Sequence, residues 1–169
     1  EPSLAGAVAG AFWAAIAGVL KAWRGAHEVI VTIMLNYVAI LLTHWLVNVV
    51  LRDTTSMAPA TPRILPTAQL WAVEGGANFS AGFAIALLAA PLVGFLLNRM
   101  ALGYEIRAVG QNANAARSAG IDVGRVTVTV MTLSGVLAGL AGAIEVLGVH
   151  RRFLDAFSPG YGFDSIAVA

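Results

Sequence analysis

"VTVTVMTLSGVLAGLAGAIEVLGV", residues 126–149, contains no basic residue and a single acid, Glu145. A bilayer core of ~30 Å is crossed by roughly 17–25 mostly apolar helical residues, so this stretch is long enough to span. Three more runs pass the same test: Leu4–Leu20, Val29–Leu51 and Phe79–Asn98. Pro2 precedes the first run, where a helix's first turn tolerates it, and Pro91 falls near the middle of the third. One such run is compatible with a core helix of a large soluble protein, but four in 169 residues are not. The expected fold is therefore an all-α integral membrane protein. It is a polytopic transmembrane helix bundle of four complete spans plus the start of another, forming one domain over residues 1–169.

Composition agrees. Hydrophobic residues make up 59% of the chain, glycine adds 18 positions, and charged residues reach only 11%, against ~25% in soluble domains. A net charge of +1 with scattered basic residues gives no ground for nucleic-acid binding. Without cysteine there is no disulfide framework, thiol nucleophile or cysteine zinc site. The sequence opens on Glu1 and ends with "DSIAVA" inside an apolar run, which reads as a fragment whose first run is a retained span and not a signal peptide.

Residues 52–78 carry Pro59, Pro62, Pro66 and the Gly75–Gly76 pair, so they cannot form one continuous helix. Within them, Ile64–Val73 is apolar but too short to cross. It suits either the membrane interface, with Trp71 at headgroup level, or a solvated loop. Grouping loops 21–28 and 99–125 on one side gives that side Lys21, Arg24, Arg99, Arg107, Arg117 and Arg125, against Arg52, Arg63, Arg151 and Arg152 on the other. The positive-inside rule then makes 99–125 a cytoplasmic loop and 52–78 an external one.

Inside the cytoplasmic loop stands "QNANAARSAG", residues 111–120. Asn112 is a good N-cap, "ANAARS" favours helix, and Gly120 suits the position just past a helix end. These signals predict a short helix of about two turns outside the membrane. Ala113, Ala115, Ala116 and Ala119 leave it with few bulky side chains, so another protein could approach closely; an ordinary solvated loop is the competing reading.

"NAARSAG" resembles the Glu-Ala-Ala-x-x-x-Gly cytoplasmic loop signature of ABC importer permeases, with Ala115, Ala116 and Gly120 matching and Asn114 standing where the pattern has Glu. The wider "GYEIRAVGQNANAARSAGI" is similar to the looser form of that loop in the sugar- and nucleoside-type branch. "HEVIVTIMLNYVA" at 27–39 and "GLAGAIEVLGVHRRFLDAFSPGYGFDSIAVA" at 139–169 agree with its nucleoside subset. The resemblance covers nearly the whole chain and is weakest over 52–78. It implies a permease subunit of the bacterial or archaeal inner membrane, paired with a second permease subunit, two ATP-binding ABC subunits and an external solute-binding lipoprotein. Under it, Asn112, Asn114, Ala115, Ala116, Arg117 and Gly120 form the coupling helix that contacts the ATPase, with Arg107 and Arg117 candidates for its acidic groups. The chain has no G-x-x-x-x-G-K-[ST] loop, so ATP and Mg²⁺ are expected on the partner, and this chain is expected to bind no cofactor.

Polar residues inside the spans are candidates for a solute pathway, because an ionised group at mid-bilayer costs roughly 2.5–3.5 kcal/mol on insertion scales. Glu145 has Gly135, Ala138 and Gly142 on or near its own helical face. The Gly135–Gly139 pair predicts close helix packing, leaving pathway lining, interhelical hydrogen bonding and snorkelling as readings of Glu145. The second span carries two polar stripes, Thr32/Asn36/Thr43 and Tyr37/His44/Asn48. At least one should meet a cavity or another helix. Asn36 is the first candidate for a solute contact, Tyr37 could stack on a base, and interhelical bonding is the alternative for each.

Enzyme readings are thin. His27–Glu28 begins an H-E-x-x-H zinc motif whose fifth position is Val31. Ser134 could be an intramembrane nucleophile with His44 or His150 as base, yet no G-x-S-x-G elbow surrounds it. "SPGYGFD" at 158–164 lacks a third glycine and suits an outer constriction or a broken helix. The expected function is solute import by alternating access, of nucleosides first, with ribose-type sugars or branched-chain amino acids as alternatives. A passive channel or facilitator is the rival of another class, separated by the docking helix it would not need.

Overall fold

A computed structural model describes residues 2–25, 27–51, 60–62, 64 and 81–154. Among these described residues six α-helices follow in order: α1 Pro2–Arg24, α2 Glu28–Trp45, α3 Ala81–Arg99, α4 Ala101–Gln111, α5 Ala113–Ser118 and α6 Val123–Ile144. The ends of α2 and α6 widen into π turns at Leu46–Val50 and Glu145–His150. Among the described residues four helical stretches are long and apolar enough to cross a membrane: Ser3–Arg24, Val29–Val50, Gly82–Arg99 and Val123–Gly148. Among the described residues there is no β-strand beyond one isolated bridge. The chain is an all-α, multi-pass membrane protein. The start of a further span expected after residue 154, and most of the 52–78 loop with Trp71, lie outside the described residues.

The first helix runs on past Leu20 to Arg24, with Lys21 and Arg24 in its last turn. Cations at a helix C-terminus meet the negative end of its dipole, and long basic side chains can reach the headgroups, so neither residue stops the helix. Gly25 then takes φ 60, donating its amide to the Lys21 carbonyl at 3.0 Å, and the chain turns into α2.

α1 and α6 pack antiparallel through small residues. A Cβ built on Gly6 would lie 2.8 Å from the Ala143 Cβ; one on Gly10 would lie 2.8 Å from the Gly139 Cα; one on Gly18 would lie 3.1 Å from the Val128 Cα. Partner numbers fall along α6 as they rise along α1, which fixes the relative direction. Only missing side chains allow this approach, since a Cβ at Gly135 would run into Ala14 and the Gly10 carbonyl. Close backbone contact of this kind is how membrane helices associate when lipid supplies no hydrophobic drive.

The stripe used is Gly135, Gly139 and Ala143, and this corrects the packing face expected around Glu145. Each +4 step advances about 40° around a helix, whereas +7 falls back about 20°. Ala138 and Gly142 therefore diverge from the contact line. A Cβ placed on Gly142 would meet nothing within 4 Å, and Ala138 is exposed.

At the end of α6 remote from α5, residues after the π turn pair with the loop beyond α2. Ala60 and Leu154 form an antiparallel bridge. Thr61 donates its amide to the Phe153 carbonyl at 3.0 Å, Ile64 donates to the Arg151 carbonyl at 3.0 Å, and the Phe153 amide donates to the Thr61 hydroxyl at 3.0 Å. Ala60 is fully buried there.

Candidate coupling site and solute-pathway residues

The loop between α3 and α6 is almost wholly helical. α4 fills residues read from sequence as plain loop, and Leu102, Ile106 and Val109 give it an apolar face at helical spacing. It is pinned at its start, where Gly103 sits so close to the Leu96 and Leu97 carbonyls that no Cβ would fit. Arg107 donates from Nη1 to the Asn98 side-chain oxygen at 3.3 Å, binding α4 to the end of α3.

Asn112 is the single extended residue between α4 and α5, at φ −157° and ψ 103°. Its side-chain oxygen accepts from the amides of Asn114 at 3.0 Å and Ala115 at 3.1 Å. Two of the orphan donors that every helix start leaves are thereby satisfied. At the other end Ala119 donates to the Ala115 carbonyl at 3.0 Å, Gly120 to Arg117 at 3.1 Å and Ile121 to Ala116 at 3.0 Å. Gly120 takes φ 86, the left-handed geometry that ends many helices. α5 is thus a short rod hydrogen-bonded at both ends.

Its surface is divided. Ala116 is 4% exposed and faces its own chain. Asn114, Ala115, Arg117, Ser118 and Ala119 are exposed, so these residues make the face open to a partner. Asn114, at the position where the loop signature has Glu, gives its carbonyl to the Ser118 hydroxyl at 3.1 Å. Two residues beyond Gly120, the Asp122 carboxylate accepts from the Arg125 amide at 3.1 Å and starts α6. Sequence reasoning passed over this cap although an acid before an apolar run is its ordinary signal.

Within the spans, several polar groups are satisfied locally. Thr43 donates to the Ala39 carbonyl at 2.8 Å, and Asn48 donates to the His44 carbonyl at 2.9 Å. Thr127 and Thr132 on α6 bond back one turn in the same way, each at 2.8 Å. Asn36 and Tyr37 differ: both are exposed on α2, with no side-chain hydrogen bond among the described residues. Glu145 is half-buried and opens the π turn that ends α6. It lies at the end of α6 remote from α5, whereas Asn36 and Tyr37 stand near the middle of α2. Ser134 is exposed on α6 and makes no hydrogen bond with either histidine among the described residues.

A family model described as the permease component of branched-chain amino acid transport systems matches residues 3–169. A guanosine ABC transporter permease of Bacillus subtilis is 41% identical over 96% of this chain and 48% of its own length. A glucose ABC transporter permease of Haloferax volcanii is 36% identical over 98% of this chain and 46% of its own. A nucleoside ABC transporter permease of Lactococcus lactis is 32% identical over 97% of this chain and 48% of its own. The chain spans about half the length of the curated relatives it matches. No solved structure matches it.

Proposed function

Because the chain belongs to the permease-component family of branched-chain amino acid transport systems, we propose that it forms part of the membrane subunit of an ATP-driven importer for nucleosides. Family membership makes it a component of a transporter, lying in a membrane. In the proposed reading that membrane is the prokaryotic inner membrane, ATP and Mg²⁺ are held by separate ATPase subunits, and a second permease subunit and an external solute-binding protein complete the assembly.

The observation that carries the reading is α5: a capped rod of about two turns with Asn114, Ala115 and Arg117 exposed, joined to a spanning helix by a short link. Motion imposed on α5 passes through that link into α6. Because α6 and α1 touch backbone to backbone, they must move as one body. A partner that binds two states unequally as it takes up ATP can therefore bias this body between two positions. Nothing in such a scheme requires the chain to touch nucleotide. The arriving solute would meet α2, where Asn36 offers an amide and Tyr37 a ring face to a nucleobase.

Replacing exposed Ala115 with Arg in the full-length permease tests the reading, whereas Ala116 is packed inside and would report on folding. Loss of ATPase co-purification together with loss of guanosine uptake is the expected result. Retained ATPase binding, or uptake that continues without ATP, would point to a passive facilitator. The glucose permease relative gives sugars a specific claim as the alternative solute, decided by whether unlabelled glucose or ribose, in place of guanosine, competes for uptake.

A further inference from the structure

At the end of α6 remote from α5, the chain that follows α2 is tied to the chain that follows α6. The Thr61 amide bonds to the Phe153 carbonyl, outside the Ala60–Leu154 bridge, so Ala60 and Leu154 face each other as a non-hydrogen-bonded pair, a kind whose Cα atoms stand about 4.5 Å apart. The Ile64 amide reaches the Arg151 carbonyl, and the Phe153 amide returns to the Thr61 hydroxyl. Ala60 is fully buried in this clasp, and Val47 and Leu147, in the closing turns of the two helices, are only 2% and 6% exposed. Over residues 29–42 of α2, by contrast, none is buried. Each helix enters the clasp through a π turn, Leu46–Val50 on one side and Glu145–His150 on the other. In the first, the Leu51 amide donates to the Leu46 carbonyl five residues back, at 2.8 Å. A turn closed over five residues is wider than an α turn and is a place where a helix bends without coming apart. Arg151 then takes φ 52 and turns the chain out of α6 within one residue.

We propose that the clasp is a pivot: it stays shut while the α1–α6 pair swings against α2, and the two π turns are its joints. The inference rests on the importer reading, in which α5 receives the force. That force enters at one end of α6 and the clasp holds the other, so α6 acts as a lever fixed at its far end. Between the two points lies the level of Asn36 and Tyr37, near the middle of α2. Opening the clasp would part the Thr61, Ile64 and Phe153 amides from their acceptors and uncover Ala60. Bending at a π turn only exchanges one ladder bond for another, so the joints yield before the clasp does.

A disulfide across the clasp, in an otherwise cysteine-free full-length permease assembled with its ATPase in proteoliposomes, tests the pivot. The Ala60–Leu154 separation lies within the range that disulfides bridge, so Ala60→Cys with Leu154→Cys should close under oxidant. Guanosine uptake by the oxidised and reduced forms should then agree within about twofold. Thr61→Val with Ile64→Pro deletes one acceptor and one donor of the clasp, about fivefold for each hydrogen bond. That double variant should lose up to roughly 25-fold in uptake while ATP hydrolysis continues. Adding the oxidised cysteine pair to it should restore uptake, which shows both that the fold is intact and that the tie is what was lost. Uptake abolished by oxidation and regained on reduction would make the clasp a latch that must open, and would overturn the pivot. Uptake unmoved in the double variant, or not restored by the disulfide, would overturn it as well, and cysteines that fail to cross-link would remove the clasp. Should the cysteine pair prevent assembly, exchange of the Phe153 amide in the unaltered importer decides: equal rates with and without ATP support the pivot, and faster exchange with ATP overturns it. Uptake by the unaltered permease that ignores ATP would refute the importer reading alone, because the rescue by the disulfide is read on uptake without reference to ATP.

Discussion

Substituting Gly139 by alanine, with Gly142→Ala as its pair, isolates the α1–α6 contact. At Gly139 a Cβ would sit 3.0 Å from the Gly6 carbonyl carbon and 3.1 Å from the Gly10 Cα, and would run into the Gly6 carbonyl oxygen. All three atoms are backbone, so no rotamer change relieves the clash and the helices must part. At Gly142 nothing lies within 4 Å. Both substitutions gain the same helix propensity, about 1 kcal/mol, and that gain cancels when the two are compared. What remains is overpacking, about 1–3 kcal/mol. At 1.4 kcal/mol per factor of ten, this is roughly 5- to 150-fold in the folded population. Thermal unfolding of the two full-length variants in detergent reads the difference, with Gly142→Ala at or above the unaltered protein and Gly139→Ala clearly below it. Adding Gly10→Ala should cost less than its effect alone, because helices already parted by one methyl make room for a second. Equal stabilities for Gly139→Ala and Gly142→Ala would refute the backbone contact.

Asn112→Ala removes the acceptor shared by the Asn114 and Ala115 amides and should destabilise α5 by about 1 kcal/mol, seen as roughly fivefold weaker ATPase co-purification, while Asn112→Asp retains binding. Thr61→Val deletes the acceptor of the Phe153 amide, so exchange of that amide should accelerate about fivefold, for a hydrogen bond of about 1 kcal/mol, with Thr61→Ser unchanged; an unaltered rate would mean the contact does not hold the segment. A cysteine at Asn36 in an otherwise cysteine-free full-length permease should react with a hydrophilic maleimide, protected by guanosine. One at Leu41, about 140° around α2, should not, and equal inertness at both positions would place Asn36 in lipid.

The spans were legible because length and apolarity are properties of a run, and a bilayer selects directly for both. α5 was legible for a different reason: Asn112 and Gly120 are local signals whose partners lie within three or four residues. α4 was missed because Glu105, Arg107 and the polar ends of the segment interrupt any apolar run. Its alternation at Leu102, Ile106 and Val109 is visible only when helical period is sought outside the membrane. The Gly135–Gly139 pair announced a close contact, but its partner face and its drift away from Gly142 depend on the crossing of two helices, which residue spacing on one helix does not contain. The polar stripes of α2 concealed a similar ambiguity. A threonine or asparagine that bonds to the carbonyl one turn back needs no partner helix, and its residue type gives no notice of which it will do.

That local bonding separates Asn36 from its neighbours on α2. Thr43 and Asn48 have spent hydrogen-bonding capacity on their own helix, which lowers the cost of meeting hydrocarbon. Asn36 has no such bond among the described residues, and a bare amide in lipid costs several kcal/mol, more than most single contacts contribute to a fold. Its face of α2 must therefore meet protein or a water-filled space, and α1 and α6 do not supply it, since Asn36 and Tyr37 remain exposed beside them. In the proposed function the close-packed α1–α6 pair and the uncovered face of α2 would then have separate roles, one moving as a body with α5 and the other meeting solute or protein. Under the proposed function, a solute path along Asn36 would open or close as the pair tilts against α2, and the rigid glycine contact and the unsatisfied amide on another helix would be parts of one mechanism.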